Sequence, residues 1–464
     1  MVESVRSQFS SSNLQKWSFS LGSFAQWFIN SAFNTWVLTF YFAAVRLPIQ
    51  YIMAAFILWT VWNAINDPLI GYLSDRTNTR FGRRKPYIMI GLIPILIIEI
   101  ILWIPPVPAG DNYFVTFLYL LIMLFCYDTF YTMVSLPYDS LFPELYTSVE
   151  ERADVNSIRQ VLSTIGLIAA FLIPGIFIGD QDVMDGYLIN GIVTTIIILV
   201  TLVISLKWGV FERVEFSQDF HQDFNFFQGL KHTFRLKSFV LYTIMFFLYE
   251  YTLLVLSSTV PLYAEWVLGI KDTLLTSILL GTMFVVGILT VLFWRMLDVK
   301  YGSRKMYAVT IVLYVITSIP LLIIDSFYAA IITVVFMGVG FGGMLYFIYL
   351  IIADVIDDDE LRTGVRREGT FFGITNFFMR LSMILSILTV SLVFSTTGWE
   401  TYEPNPGVNV IEGLRLLVFF FPALALGITL ICLYFYPYTK DYVKNMKSQI
   451  KELHRKKLDQ ISFS

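Results

Sequence analysis

Residues 62–68 read WNAINDP and place the carboxylate of Asp67 inside an apolar stretch. That stretch runs from about residue 47 to residue 73 and is long enough to cross a bilayer as a helix. A carboxylate at bilayer depth costs roughly 2.5 to 3.5 kcal/mol on insertion scales, and such residues most often mark an ion or proton path. The motif therefore predicts a membrane helix that carries a functional acid.

The rest of the chain has the composition of a membrane protein. Of 464 residues, 56% are hydrophobic and 14% are charged, whereas charged residues make up roughly a quarter of a soluble domain. Apolar stretches of the ~20 residues that a helix needs to cross a bilayer recur along the whole sequence. We place them near residues 17–45, 48–74, 86–106, 113–140, 158–178, 187–209, 237–263, 272–296, 305–324, 327–352, 369–396 and 410–436. The pattern predicts an all-α polytopic membrane protein with about twelve transmembrane helices.

The longest polar interval divides the predicted helices into two sets of six. Secondary transporters are commonly built in this way, with the substrate site between the halves near the bilayer midplane. The last residues predict a basic amphipathic tail that lies on the anionic inner leaflet. The predicted domains are an amino-terminal half at 1–209, a central cytoplasmic loop at 210–236, a carboxyl-terminal half at 237–436 and the cytoplasmic tail at 437–464.

The 32 Lys and Arg residues fall mostly in the tails and in alternate loops, on the side that is cytoplasmic if both termini are inside. By the positive-inside rule, this bias predicts that both termini are cytoplasmic. We place the multi-pass protein in the plasma membrane. The lipid bilayer is then its environment. The sequence implies neither a nucleic-acid partner nor an obligate protein partner.

Other functional classes are disfavoured by the residues that the chain offers. A membrane enzyme needs a nucleophile with a base, or a set of metal ligands. The three histidines, His221, His232 and His454, lie in polar segments, and Cys126 and Cys432 lie inside predicted spans. The sequence has no GxxxxGK[ST] phosphate loop, which disfavours an ATP-driven pump. We therefore predict no enzyme activity, no catalytic residue, no cofactor and no firm metal site.

Three motifs point to a family. Residues 67–86 read DPLIGYLSDRTNTRFGRRKP, residues 136–143 read LPYDSLFP, and residues 353–369 contain ADVID followed by RREG. In this order and at these loops, the motifs resemble the signatures of the glycoside-pentoside-hexuronide:cation symporters, the melibiose permease-like family of the major facilitator superfamily. The resemblance covers essentially the whole chain. It implies the major facilitator fold, with two pseudo-symmetric six-helix halves.

The first and third motifs supply charged residues at the predicted cytoplasmic ends of spans 2 and 10. Such charges can form ion pairs that exist only when the two halves close on the inside, although basic residues there also serve topology. The candidate gate residues are Asp75, Arg76, Arg83, Arg84, Asp354, Asp357 and Arg366.

The resemblance also implies a site for a coupling cation. In the family, acidic residues one helical turn apart on span 2 and another on span 4 hold the cation, and these positions are Asn63, Asp67 and Ser135 here. Sodium prefers several oxygen ligands with compensating negative charge, so the single remaining carboxylate favours protons and leaves Na⁺ at Asp67 as the alternative. A carboxylate removed from water holds a proton more readily, and its neutral form can pass through an occluded state. We predict H⁺ as the coupling ion.

A second acid lies in span 4. Asp128 shares one helical face with Tyr131, Thr132 and Ser135. One interpretation is that Asp128 is the displaced span-4 acid of the cation site, with Thr132 beside it. The other is that Asp128 is a buried structural acceptor.

Two more charges lie inside predicted spans. Glu250 in span 7 has a functional and a structural interpretation, and the sequence does not separate them. Arg380 in span 11 matches a family lysine near the sugar and cation sites. A buried guanidinium needs a partner, and we expect it to be Asp67, Asp128 or Glu250.

The substrate is predicted from polar and aromatic side chains together, since sugar sites combine an apolar platform with groups that bond hydroxyls. The aromatic residues are also explained by helix packing. The candidate substrate-binding residues are Gln26, Trp27, Asn30 and Tyr131, to which the resemblance adds Arg159, Thr375, Asn376 and Arg380. We predict a proton-coupled symporter of a sugar or glycoside that works by alternating access. The alternative is a carrier of a lipid-like or other amphiphilic solute on the same fold, because animal relatives of the family carry lysolipids.

Overall fold

The computed structural model describes residues 12–77, 79, 84–106, 112–146, 149–210, 236–363, 368–404 and 406–462. Within these ranges the backbone is almost entirely helical, which confirms the all-α prediction. The predicted central loop at 210–236 lies outside the described residues except at its two ends. The helices form two compact units. We call them the amino-terminal unit (residues 1–222, 270–278 and 394–406) and the carboxyl-terminal unit (223–269, 279–393 and 407–464).

The amino-terminal unit is built from six long helices in the part of the chain that the structure describes. Two of them begin at residues that satisfy free backbone amides. Ser12 and Gln15 form a capping box at the first helix, and Asn112 accepts hydrogen bonds from two amides of the fourth. The helices are α1 Asn13–Thr39, extended by the π-helical turn Phe40–Ala44, α2 Ile49–Arg76, α3 Lys85–Ile101, α4 Tyr113–Leu145, α5 Val149–Phe177 and α6 Met184–Ile204, extended by the π-helical turn Ser205–Gly209.

The carboxyl-terminal unit contains the remaining helices, apart from the ends that cluster with the other unit. They are α7 Lys237–Trp266, α8 Thr273–Tyr301, α9 Ser303–Ser318, followed by the 3₁₀ turn Ile319–Leu322, α10 Phe327–Thr363, α11 Glu368–Thr397, α12 Val408–Phe435, which contains the π-helical turn Leu416–Phe420, and α13 Lys440–Ser462. The last helix corresponds to the predicted amphipathic tail.

Residues 270–278 and 394–406 cluster with the amino-terminal unit, whereas the predicted boundaries assign them to the second half. Backbone pairing accounts for part of this, since the amide of Ile49 donates to the carbonyl of Glu400 at 2.8 Å. The division of the chain at 209, 236 and 436 otherwise stays a prediction.

Ten helices of the described ranges are long and apolar enough to cross a membrane. The two predicted spans outside this set are α1 and α3. Helix α3 has 17 residues, which is about the shortest length that crosses a bilayer. Helix α1 carries Ser, Asn and Gln side chains along its length. Both helices have many buried residues, so protein contacts supplement their modest apolar length.

Helix α1 packs along α5 with close backbone contact. Lys16 pairs with Asp154 at 3.3 Å. A side chain at Gly166 would lie 2.5 Å from the carbonyl oxygen of Phe24, a distance that real side chains do not reach. Small residues let membrane helices approach this closely. Gly166 therefore fixes α1 and α5 as a tightly packed pair.

Candidate functional site

Helix α2 presents three polar side chains toward α4. Asn63, Asn66 and Asp67 lie three and four residues apart, so they share one face of the helix. Trp62 also reaches α4, since its indole nitrogen donates to the hydroxyl of Thr129 at 3.0 Å. Asn66 was not among the predicted residues, although its spacing from Asn63 was the signal that could have found it.

The carboxylate of Asp128 on α4 is buried, with 3% of the residue exposed. Asn63 donates its side-chain amide to Asp128 Oδ1, and Asn66 Nδ2 donates to Oδ2 at 3.0 Å. The same Asn66 nitrogen lies 3.3 Å from the Asp128 carbonyl oxygen. Burying a carboxylate without hydrogen bonds is very costly, and the two amides reduce that cost.

Asp67 is linked to the same face of α4. Thr132 Oγ1 donates to Asp67 Oδ1 at 2.9 Å, and Thr132 is 3% exposed. Because Thr132 lies one turn beyond Asp128, both acids lie along one seam between α2 and α4. We call Asn63, Asn66, Asp67, Asp128 and Thr132 the acid cluster. The structure thus brings together four of the five residues predicted for cation coupling.

The fifth, Ser135, connects α4 to α1 through its backbone. Its carbonyl oxygen accepts a hydrogen bond from Gln26 Nε2 at 3.2 Å, and Gln26 is buried. Tyr131, one turn before Ser135, stacks on Tyr127 with ring centroids 6.1 Å apart. Gln26 of α1 and Tyr131 of α4 therefore lie where the two helices meet.

The other two predicted substrate residues of α1 differ in environment. Trp27 is 47% exposed. Asn30 is half-buried, and its side-chain oxygen accepts a hydrogen bond from Asn34 Nδ2 at 2.9 Å. Asn30 and Asn34 are thus a hydrogen-bonded polar pair one helical turn apart.

Arg159 on α5 contacts an acid, a hydroxyl and aromatic rings. Its guanidinium pairs with Asp139 at 2.7 Å and donates from Nε to Ser23 Oγ at 2.9 Å. It also lies over the ring of Phe142 at 4.6 Å, a cation–π geometry. Asp139, which the sequence analysis quoted only as part of a motif, is the partner that orients this arginine.

The remaining predicted site residues belong to the carboxyl-terminal unit. Glu250 on α7 interacts electrostatically with tyrosines of its surroundings, including Tyr249 and Tyr349. Thr375 on α11 is buried, and its hydroxyl donates to a backbone carbonyl of its own helix at 2.8 Å. Asn376 is exposed and Arg380 is half-buried. The role of each residue, and the partner of Arg380, stay predictions.

The predicted gate residues are described only in part. Arg84 is buried, with 5% exposed. The side chains of Asp75 and Arg76, and the whole of Arg83 and Arg366, lie outside the described residues.

Asp354 and Asp357 near the end of α10 are paired with the last helix. Lys447 Nζ on α13 lies 3.0 Å from Asp354 Oδ1 and 2.5 Å from Asp357 Oδ2. Burial alone would lower the pKa of Lys447, but the hydrogen bonds and charges of the two carboxylates outweigh burial and raise it. The lysine therefore stays charged at neutral pH.

Neighbouring contacts extend this attachment. Asp358 pairs with Arg362 at 2.7 Å and accepts a hydrogen bond from the hydroxyl of Tyr442 at 2.7 Å. Met446 and Ile450 of α13 are buried. We expected the tail to lie on the inner leaflet. In the structure, one face of α13 packs against the protein instead, because the acidic end of α10 supplies partners for that face.

Within the described residues, no group of three or more His, Cys, Asp or Glu side chains could hold a metal ion.

The sequence matches the family of MFS/sugar transport proteins over residues 18–440. The chain belongs to this family. It is a multi-pass membrane transporter of the major facilitator superfamily, and the resemblance seen in the three motifs is confirmed.

Curated relatives cover most of this transporter. It is 24% identical to an uncharacterized symporter, YnaJ, of Bacillus subtilis, over 97% of each chain. It is 22% identical to the isoprimeverose transporter of Lactiplantibacillus pentosus, over 95% of this chain and 91% of the relative. It is 24% identical to the sodium-dependent lysophosphatidylcholine symporter 1 of Gallus gallus, over 84% of this chain and 80% of the relative.

Solved structures share the fold of this transporter. A bacterial homologue of the human lysosomal transporter Spinster superposes with a TM-score of 0.69 at 14% identity, over 95% of this chain and 99% of the other. A D-xylose-proton symporter superposes with a TM-score of 0.64 at 14% identity, over 92% and 98%. These likenesses confirm the predicted major facilitator fold.

Proposed function

We propose that this transporter is a proton-coupled symporter of a sugar or glycoside that works by alternating access. The observation that carries the proposal is the acid cluster, in which Asp67 and Asp128 lie along one seam between two membrane helices. A carboxylate in a membrane helix is costly and usually marks an ion or proton path. Two of them on one seam, each with its own hydrogen-bond donor, form the coupling site.

The donors in the cluster favour a proton over a metal ion. Asn63 and Asn66 turn their amide nitrogens toward Asp128, and Thr132 turns its hydroxyl toward Asp67. Sodium is held by oxygen atoms that accept rather than donate. Hydrogen-bond donors suit a carboxylate that is ionised in one state and protonated in the next.

Sodium is the second candidate, and one observation favours it. Among the described groups, Asn66 Oδ1 is buried and has no hydrogen-bond partner, so it could serve as an oxygen ligand beside the two carboxylates. The lysophosphatidylcholine symporters among the relatives are named sodium-dependent. Coupling to Na⁺ would require the amides of the cluster to turn their oxygen atoms toward the ion.

For the cargo, the family description and the isoprimeverose transporter support a sugar. Gln26, Asn30 and Tyr131 would supply polar and aromatic contacts on the amino-terminal unit, and Arg159, already oriented by Asp139, would supply a charged donor. From the carboxyl-terminal unit we expect Thr375, Asn376 and Arg380 to contribute.

An amphiphilic solute is the alternative cargo. The carboxyl-terminal unit contains a pocket with an almost wholly apolar lining, which includes Leu256, Met283, Phe284 and Met337. Such a lining would suit an acyl chain better than a sugar. The lysophosphatidylcholine symporters among the relatives carry a solute of that kind, as their name states.

We also propose the predicted orientation, with both termini in the cytoplasm of the cell and the transporter in the plasma membrane. The distribution of Lys and Arg supports it. In this orientation the α10–α13 contacts lie on the cytoplasmic side, where the gate residues were predicted.

The test is uptake by purified transporter in lipid vesicles. A panel of labelled sugars and a labelled lysolipid is offered under an imposed pH gradient, an imposed Na⁺ gradient or neither. We expect a sugar to accumulate under the pH gradient, and Asp67→Asn to abolish that accumulation. Asp185→Asn, at an exposed acid in the first turn of α6, is the matched control and should transport normally.

Each part of the proposal can fail separately. Accumulation driven by Na⁺ and not by the pH gradient would reject the proton. Uptake of the lysolipid without uptake of any sugar would reject the sugar. Full proton-driven accumulation in Asp67→Asn would reject the acid cluster as the coupling site.

A further inference from the structure

A third acid of the amino-terminal unit lies outside the acid cluster. Glu99, near the end of α3, is 1% exposed. The indole of Trp103, one turn further along the chain, lies next to its carboxyl group. Neither the acid cluster nor the proposed sugar contacts involve Glu99, so its burial calls for a separate explanation.

The Trp103 ring and the backbone of Glu99 lie against a polar strip of α6. Tyr187, Asn190 and Thr194 recur every three or four residues and are all buried, so they lie on one face. A side chain at Gly191 would lie 2.9 Å from Trp103 Nε1 and 3.1 Å from the Glu99 carbonyl oxygen. Glycine at 191 is therefore what lets α6 approach this end of α3.

Aromatic rings close the strip from the side of α1. Phe40 packs 5.0 Å from the ring of Trp103 and 4.8 Å from that of Tyr187. Trp103 and Tyr187 lie 5.7 Å apart with their planes 25° from parallel. These contacts enclose the polar groups among three helices and keep bulk solvent out.

Several of the enclosed polar atoms have no hydrogen-bond partner among the protein groups that the structure describes. These atoms are Glu99 Oε2, Trp103 Nε1, Asn190 Oδ1 and Thr194 Oγ1. Each unsatisfied buried polar atom costs about 1 to 3 kcal/mol, and four together would take much of the ~5 to 15 kcal/mol by which proteins are stable. Internal water relieves this cost when two to four polar groups converge on it.

We propose that Glu99 is a proton-binding acid in an internal water pocket formed by Glu99, Trp103, Asn190 and Thr194. An isolated ionised carboxylate is far more costly to bury than a neutral acid. The described residues include no ion pair to Glu99. A protonated Glu99 also supplies an O–H donor, and through water this donor satisfies the acceptors Asn190 Oδ1 and Thr194 Oγ1.

The titratable groups around this pocket are tyrosines. Tyr127 of α4 is buried, and its hydroxyl donates to the Ile29 carbonyl at 3.3 Å. Tyr41 of α1 donates to the Leu102 carbonyl at 2.8 Å. Glu99 thus binds its proton apart from the acid cluster.

This inference goes beyond the proposed function, since it holds whatever the cargo and whether or not Asp67 couples transport. The test is infrared spectroscopy of the purified protein in an ester-free detergent, which resolves the C=O stretch of protonated carboxyl groups. At neutral pH we expect Glu99→Gln to remove one such band. Glu250→Gln, the same change at a half-buried acid of the other unit, must leave that band in place.

The water is tested by exchange. In D₂O the Glu99 band should shift within seconds to minutes, and the double variant Asn190→Leu with Thr194→Val should slow this shift at least tenfold by drying the pocket. If Glu99→Gln does not fold, Trp103→Phe keeps the acid, removes the indole N–H that borders the proposed water and should shift the frequency of the same band.

A spectrum in which Glu99→Gln, or Trp103→Phe in its place, leaves every protonated carboxyl band unchanged would overturn the proton site. Equal exchange rates in the double variant and the wild type would overturn the water pocket. Neither outcome depends on transport, so the proposed function stands or falls separately.

Discussion

At the scale of single residues, the acid cluster shows how a membrane protein keeps carboxylates in an apolar environment. Asp128 has two amide donors, and Asp67 has the hydroxyl of Thr132. Hydrogen bonds to charged groups contribute about 1.5 to 3 kcal/mol each. The cluster can therefore hold a negative charge when the coupling ion has left.

Thr132 gives a test that separates the two candidate ions. Thr132→Val keeps the shape of the side chain and removes the donor to Asp67, whereas Thr132→Ser keeps the donor and serves as the control. If protons couple transport, ionised Asp67 loses a stabilising hydrogen bond in Thr132→Val. It therefore takes up its proton at a lower proton concentration. A loss of about 1.4 kcal/mol corresponds to a tenfold change in the proton concentration at which Asp67 is half protonated. Uptake measured against pH should show this shift in Thr132→Val alone.

With Na⁺ as the coupling ion, the same variant behaves in the opposite sense. The lost hydroxyl is then a lost oxygen ligand, and the Na⁺ concentration that gives half-maximal uptake rises roughly tenfold. An unchanged dependence on both ions in Thr132→Val would show that Thr132 takes no part in coupling.

At the scale of elements, α13 is attached to the end of α10 by charge and by apolar contact. The side chains of Asp354 and Asp357 are 10% and 9% exposed, and that of Lys447 is 47% exposed. Exposure of the lysine limits the gain from these pairs to about 1 kcal/mol or less each. Met446 and Ile450 add buried apolar surface.

We expect Lys447→Gln to loosen α13 without unfolding the transporter, because two acids lose their shared counter-charge while the apolar contacts remain. Hydrogen exchange should become severalfold faster in α13 and stay unchanged in the middle of α10. Lys447→Arg, which keeps the charge, should restore slow exchange. Lys444→Gln, at an exposed lysine of the same helix, is the matched control.

The sign of the pH dependence follows from the raised pKa of Lys447. A lysine whose pKa is raised by folding contributes stability below its ordinary pKa and loses it as the pH rises through the raised value. The effect of Lys447→Gln should thus be constant around neutral pH. Equal exchange rates for α13 in Lys447→Gln and in the wild type would show that apolar contact alone holds the helix.

At the scale of the whole molecule, the orientation in the membrane follows from charge and can be measured. In a background with Cys126→Ser and Cys432→Ser, a single cysteine is introduced at Ser448, an exposed position of α13, or at Asp185, an exposed position at the start of α6. We expect a membrane-impermeant maleimide to label Asp185→Cys in intact cells and Ser448→Cys only after lysis. Labelling of Ser448→Cys in intact cells would reverse the proposed orientation.

Much of the fold could be predicted because the length and apolar composition of membrane helices identify them in a sequence. The predicted spans correspond to helices even at α1, whose polar side chains weaken the signal, and at α3, which has 17 residues. The ends of some helices differ from the prediction. Helix α4 extends to Leu145 and α10 to Thr363, beyond the apolar stretches from which they were predicted.

The candidate site could be predicted only where residues are neighbours along one helix. The shared face of Asp128 and Thr132 follows from helical periodicity. The pairing of Lys447 with Asp357 does not, because these residues are 90 positions apart and no local pattern joins them. Glu99 was missed because span 3 was selected for its apolar residues, and one acid near its end did not change that selection.

The close pairing of α1 with α5 has a consequence for how the protein is made. Helix α1 is synthesised before α5, yet among the described helices it is not one of the ten that are apolar enough to cross a membrane by composition. It contacts α5 closely, through Lys16 and through the backbone beside Gly166. The contacts with α5 that supplement the apolar surface of α1 therefore become available only when α5 has been synthesised.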